Sequence, residues 1–300
     1  MQTLIIGASG YLGKHIYGYF KNKYSNVIGT YCSHQTEQTL LRFDINKDSI
    51  ESVGTYLEKA GCAIICAAES KYDACKNNAE ESFQTNVTST IKLIEKLDQM
   101  NYYILFCSTD SVYDGEKGNY EESDQTKPVN EYGKMKLQVE QYITEHCPNA
   151  CVFRLSKMVG DVNSSRDTFC EWKIMAKEQR DIYCIKGNYF SPVDVEDVVR
   201  CVEIACNKKL RGIYNVCGNR AYSRIDLCQS FLHALRLETN VYEKELSEFG
   251  FSAVRPLNVG MSNQKAVRAL GYKFKDMHEV YERYMDDVED KNIAEEQNND

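Results

Sequence analysis

A doubly wound parallel α/β sheet with a smaller C-terminal lobe is the fold class this sequence predicts, on three observations. Short apolar runs alternate with amphipathic stretches from residue 3 onward, the pattern of repeated β–α units. A glycine-rich turn stands directly between the first run and the first amphipathic stretch. After residue 155 the alternation loosens, as expected of a lobe interleaved with returns to the main sheet.

In chain order, Thr3–Ile6 reads as a strand and Tyr11–Tyr24 as a helix. Val27–Tyr31 is strand-like, and a helix follows over about 48–59. Cys62–Ala67 is the next strand, followed by a long helix over Asn78–Gln99. Tyr102–Cys107, a helix over Asn130–His146 and the strand Ala150–Arg154 complete the regular part. Beyond it come a helix near 166–179, a short strand near 182–185, a helix near 194–207, the strand Gly212–Val216 and a helix near 223–236. Residues 1–155 are expected to form the main domain, with returns near 190–216. Residues 156–285 mainly form the second lobe.

Composition narrows the function classes. With 300 residues and 43% hydrophobic content, the chain can bury a large core. The net charge of −8 is concentrated at the end, where residues 285–300 hold seven acids against Lys291. The acidic tail over 286–300 is expected to be disordered and frayed, and the rest is near neutral. No basic footprint for a nucleic-acid polymer exists. No run of 18 apolar residues and no basic leader are present, so neither membrane span nor export is expected and the location reads as cytoplasmic. Thirteen cysteines, an odd number lying largely in apolar runs, read as reduced thiols. Cys62/Cys66 and Cys147/Cys151 lack histidine pairs, so no metal is expected.

Gly7-Ala8-Ser9-Gly10-Tyr11-Leu12-Gly13 follows the first strand and opens the first helix. Glycines there allow a tight turn and close approach of backbone to a pyrophosphate, while the helix N-terminus offers free N–H groups. Gly7, Ser9, Gly10, Tyr11, Leu12 and Gly13 are therefore candidate cofactor contacts in a Rossmann-type NAD(P)-binding domain. The second strand ends Gly29-Thr30-Tyr31-Cys32-Ser33-His34, with no acid to hold ribose hydroxyls. That absence favours NADP(H) over NAD(H), with Ser33 or His34 near the 2′-phosphate, although Arg42 comes too late in the chain to clinch it.

A tyrosine four residues before a lysine puts both on one helix face, where the ammonium favours the phenolate. Among 21 tyrosines the spacing occurs five times: Tyr17/Lys21, Tyr19/Lys23, Tyr72/Lys76, Tyr113/Lys117 and Tyr132/Lys136. Only Tyr132/Lys136 opens a long helix just after a strand that delivers Ser108 and Thr109 at its carboxyl end, the ligand side of such sheets.

The Gly-x-x-Gly-x-x-Gly spacing resembles the extended branch of the short-chain dehydrogenase/reductase superfamily. Ser108-Thr109-Asp110-Ser111-Val112-Tyr113-Asp114-Gly115 is similar to the Ser-Thr-Asp-Tyr-Val-Phe-Asp-Gly block of dTDP-4-dehydrorhamnose reductases. Tyr132–Leu137, Arg154-Leu155-Ser156, Arg255-Pro256, Ala67-Ala68 with Asp73, and Asn86-Val87 fit the same family in order. The resemblance implies Tyr132 as proton donor, with Lys136 lowering its pKa and binding the nicotinamide ribose. It implies Thr109, less so Ser108, as hydrogen-bond donor to the substrate oxygen. Asp44 resembles the adenine-contacting aspartate, beside Ile45, and equally suits a turn acid; Ala67 and Ala68 would border the cofactor. Ser70, Ser108, Thr109, Asp110, Ser111 and Lys157 would line a nucleotide-sugar pocket in the second lobe's cleft, and Arg154 reads as a structural anchor. A homodimer is compatible with the resemblance.

Three positions depart from the family pattern. Its second tyrosine is Ser111, its Tyr-Thr pair after the third strand is Glu69-Ser70, and its aromatic after Arg-Thr-Ser is Lys157. Sugar-nucleotide dehydratases carry a glutamate where Ser111 stands, which argues for reduction over dehydration. The expected activity is NADP(H)-dependent reduction of a nucleotide-linked 4-keto-6-deoxy sugar. The alternatives are a sugar-nucleotide epimerase and a non-catalytic NADP-binding regulatory subunit.

Overall fold

The structure, a computed structural model, describes residues 2–285. Six strands arise in chain order from the apolar runs and their flanks: β1 (Gln2–Ile6), β2 (Val27–Tyr31), β3 (Leu41–Arg42), β4 (Gly61–Ile65), β5 (Tyr103–Thr109) and β6 (Ala150–Leu155). With Gly212–Val216 they make a seven-stranded sheet in the order Gly212–Val216, β6, β5, β4, β1, β2, β3. Every pairing is parallel. Strand order reverses between β1 and β4, so their carboxyl ends flank the crevice where such sheets bind ligands.

Period-two alternation sorts the strand residues between two layers. Ile5 and Ile64 face the helices Tyr11–Lys23 and Val195–Lys208, packing with Leu12, Ile16, Phe20, Val198 and Val202. Leu4, Ile6, Ala63 and Ile65 face the helices Thr90–Gln99 and Glu131–His146, packing with Leu93, Ile94, Leu97, Val139 and Ile143. Burying one such side chain is worth about 2 kcal/mol, so these two layers hold the sheet. A separate core forms the smaller lobe, where Phe169 and Phe231 stack at 4.6 Å beside Trp172, Tyr281 and Tyr284. Its chain passes back to the sheet through Val195–Lys208 and Gly212–Val216.

The observed architecture is the α/β fold class the sequence predicts, with three local differences. The helix expected over 48–59 is a tight 3-10 segment, Ile50–Tyr56, in which Val53 and Gly54 are poor α-helix formers. The long helix expected over 78–99 is interrupted: Tyr72–Asn77 and Ala79–Phe83 precede a π-helical turn, Gln84–Ser89, before Thr90–Gln99. That turn aims Asn86 inward, where its amide accepts from the Glu69 N–H at 2.9 Å and donates to the Glu69 carbonyl at 2.8 Å. The third difference is β3, too short to be visible as an apolar run. The expected acidic tail, 286–300, lies outside the described residues.

At the sheet's far edge, side chains occupy the outward backbone groups of Gly212–Val216. The Asn215 N–H donates to Glu122 at 2.7 Å, and Lys265 donates to the Ile213 carbonyl at 2.8 Å. Among the described residues no helix is long and apolar enough to cross a membrane. All thirteen cysteines are free thiols.

Candidate active site and cofactor cleft

Backbone alone shapes the end of β1. Gly7 has φ +86°, in the left-handed region that glycine favours. A Cβ there would stand 2.8 Å from the Ala67 nitrogen, and one on Gly13 would fall on the Gly7 carbonyl oxygen. Gly10 caps the helix without a side-chain acceptor, and the first turn carries no acid. Its leading N–H groups therefore suit an anion. This cradle fits a dinucleotide pyrophosphate, with Ser9 half-buried at its rim and Ala68 half-buried beyond Ala67. Leu12 buries its side chain in the core, which leaves only its backbone for a ligand. Tyr11 turns its hydroxyl to Asp167 of the smaller lobe at 3.0 Å.

Ser33 and His34 are exposed beyond β2, with Ser33 Oγ 2.9 Å from His34 Nδ1. Beside them, β3 pairs Arg42 with Tyr31, the last residue of β2. An arginine that looked too distant in sequence thus stands at the carboxyl end of β2. Its ion pair with Asp48 is long, 3.5 Å, and its side chain is 57% exposed, so that pair restrains it weakly. Asp44 is buried and serves its own turn: it accepts from the Asn46 N–H at 3.0 Å while its N–H donates to Asp48 at 2.7 Å. Ile45 packs against the core layer beneath.

At the end of β5, neighbouring residues face opposite ways. Ser108 donates to Glu140, which Arg154 holds at 2.7 Å; Arg154 also donates to the Tyr113 hydroxyl at 2.8 Å. Both charged side chains are buried. Ser108 is thus tied into a buried network, on the opposite side from Thr109, and Arg154 is the anchor of that network. Thr109 faces the other way. Its Oγ1 accepts from the Ser111 N–H at 3.2 Å and lies 3.2 Å from both Asp110 Oδ1 and Ser111 Oγ.

The helix Glu131–His146 starts against this cluster. Asn130 caps it by accepting from the Gly133 N–H at 2.8 Å. A Cβ on Gly133 would collide with the Ser111 carbonyl, so glycine sets how closely Tyr132 approaches the strand end. One turn on, Lys136 is buried with Nζ 4.1 Å from the centre of the Phe106 ring. A further tyrosine joins them: the Tyr72 ring lies 5.8 Å from that of Tyr132, and its hydroxyl hydrogen-bonds Ser111 Oγ. Thr109, Ser111 and Tyr72 thus form one hydrogen-bonded set, with the Tyr132 ring beside that of Tyr72.

Burial sets the protonation states. It pushes the Tyr132 phenol up, with Tyr72 and then Asp110 adding to the effect, so the net shift opposes the lowering expected from Lys136. Burial lowers Lys136 to about 8. It raises Asp110 to about 6, against hydrogen bonds from Thr109 and Ser111. Lys157 is lowered by crowding and then by Arg224, yet its side chain still reaches solvent. Ser70 is exposed in the loop after β4.

Sequence reasoning missed Arg42, Tyr72 and Glu140. Glu140 had a signal, since Tyr132, Lys136 and Glu140 fall on one helical stripe. Tyr72 was weighed only as a partner of Lys76, which instead donates to the Ser252 carbonyl.

Known proteins resemble the whole arrangement. Methionine adenosyltransferase 2 subunit beta of Danio rerio is 26% identical over 271 residues, covering 86% of this chain and 81% of that one. A probable low-salt glycan biosynthesis reductase of Haloferax volcanii is 29% identical over 177 residues, 57% of this chain and 59% of its own. The structure of a hypothetical dTDP-4-dehydrorhamnose reductase from Sulfolobus tokodaii superposes with a TM-score of 0.82 at 25% identity, over 91% of this chain and 96% of that one. A dTDP-4-dehydrorhamnose reductase of Bacillus anthracis in complex with NADP gives 0.81 at 22% identity, over 96% and 100%. The family model described as the RmlD substrate binding domain matches residues 1–289, and the chain belongs to that family.

Proposed function

We propose that this protein is an NADP(H)-dependent reductase of a nucleotide-linked 4-keto-6-deoxy sugar. The observation that carries the reading is the hydrogen-bonded Thr109 and Ser111 at the carboxyl end of the sheet that also carries the glycine cradle, with the helix of Tyr132 packed against them through Gly133. Gly7, Gly10 and Gly13 would receive the pyrophosphate, Arg42 and Ser33 the 2′-phosphate, and Lys136 the nicotinamide ribose. When bound, the nicotinamide supplies a hydride to a keto carbon.

The protein's own part is orientation and proton transfer. Tyr132, kept protonated by burial, gives its proton to the carbonyl oxygen. The Thr109 hydroxyl hydrogen-bonds that oxygen as negative charge builds on it. The Lys136 ammonium stabilises the phenolate left behind. Ser111, next to Asp110, offers no carboxylate to strip a carbon-bound proton, which favours reduction over dehydration.

The test is NADPH consumption with dTDP-4-keto-6-deoxyglucose and related nucleotide sugars. Tyr132→Phe should lower kcat by about 10³-fold, within the range for a positioned proton donor, and leave NADPH affinity unchanged. A second reading rests on the relatives named as a subunit of methionine adenosyltransferase: a cofactor-binding subunit that attaches to a partner enzyme. Absence of turnover with every keto sugar, together with NADP-dependent binding to another protein, would replace the first reading by the second.

A further inference from the structure

Ser111 is a small, fully buried side chain after β5, and Tyr72 reaches it from another element. Tyr72 opens the short helix Tyr72–Asn77 after β4, while Ser111 follows β5. Its hydroxyl meets Ser111 Oγ, and its ring lies beside that of Tyr132 at 5.8 Å with a 33° tilt. Arg255 covers the ring at 5.2 Å. The helix is fixed from the same side: Asp73 accepts from the Ala253 N–H at 2.7 Å and from Arg255 at 3.0 Å. Tyr72 is half-buried, not sealed into the core.

The geometry points to Tyr72 as a specificity-determining residue for the proposed reduction, a second phenol that hydrogen-bonds the sugar beside Tyr132 while Ser111 holds it in place. It rests on the reductase reading above. A phenol anchored at its oxygen by a serine can still donate or accept one more hydrogen bond, which suits a hydroxyl or carbonyl on a pyranose ring. Its ring also narrows the pocket on the side of Tyr132, so substituents there are selected by size as well as by polarity. The group acts equally on bound substrate and transition state, so its loss belongs in KM and not in kcat.

The experiment compares wild type, Tyr72→Phe and the double variant Tyr72→Val/Ser111→Tyr, which moves the phenol to the strand end. Steady-state kinetics use NADPH with dTDP-4-keto-6-deoxyglucose, and calorimetry with NADP present uses unreactive dTDP-glucose. Tyr72→Phe should raise KM about tenfold with kcat changed less than threefold, the effect of one hydrogen bond to substrate. The double variant should recover most of that loss. NADPH affinity should stay at its wild-type value in Tyr72→Phe, which a tyrosine that only props up the cleft would not allow, while loss of the Ser111 bond lowers the melting temperature by a few degrees at most. Turnover by wild type with an unchanged KM in Tyr72→Phe overturns this inference and leaves the reductase standing. If wild type turns over no sugar but binds dTDP-glucose, a tenfold weaker binding in Tyr72→Phe supports the inference and equal binding overturns it. If wild type neither turns over nor binds a nucleotide sugar, both readings fall together.

Discussion

The two halves of the cleft are built from different materials. Around Gly7 and Gly13 the site is backbone, closed so tightly that a single methyl group has no place. Around Ser111 it is side chains, and two of them from separate elements meet to make one wall. A backbone site is fixed by the fold and accepts few substitutions. A side-chain wall can be rebuilt by a residue that arrives from elsewhere in the sequence.

That contrast can be broken first at Gly13. Gly13→Ala should lose about 100-fold in NADPH affinity, because the helix must move off the turn to clear the Gly7 carbonyl. Fluorescence titration checks it, and a loss under threefold would show the cradle to be more yielding than its spacing. A smaller effect is expected at the rim. Arg42→Ala should weaken NADPH binding about tenfold and leave NADH binding unchanged, since only the 2′-phosphate needs the guanidinium. Equal weakening of both cofactors would remove Arg42 from the site.

The smallest effect is one of pH. Burial depresses Lys136 to about 8, so the ammonium is present below that pH and is lost as pH rises through it. Cofactor affinity should therefore be flat up to about pH 7.5 and fall above pH 8. The same shift affects stability in the opposite sense. The unfolded chain holds the lysine proton to higher pH, so the penalty for burying the charge is full below about 8 and is relieved above it. A binding profile flat to pH 9.5 would mean that Lys136 does not hold the ribose.

How much of this was legible in the sequence follows the same division. The cradle and the Tyr132/Lys136 pair were readable because each is local: a turn of seven residues and one helical repeat. The opposed facing of Ser108 and Thr109 was legible too, since strand alternation requires it, but the Glu140 that meets Ser108 lies on another element. Arg42 and Tyr72 were invisible for a different reason. Their roles depend on which strands lie side by side, and neither β3 nor the meeting of the Tyr72 helix with the end of β5 is encoded in any nearby spacing. The broken helix after β4 was likewise missed, because the demand on Asn86 to hold the Glu69 backbone comes from outside the helix.

The guarded rims of the sheet bear on assembly. One rim ends in the two-residue strand β3, and on the other the Glu122 and Lys265 side chains already occupy outward groups of Gly212–Val216. An incoming strand would have to displace an acid and a base to extend the ladder, a device that keeps sheets from joining edge to edge. Whatever meets the Gly212–Val216 rim of the main sheet, whether a second copy of this chain or an enzyme it accompanies, must therefore do so by helices and loops, with strand addition blocked at that rim.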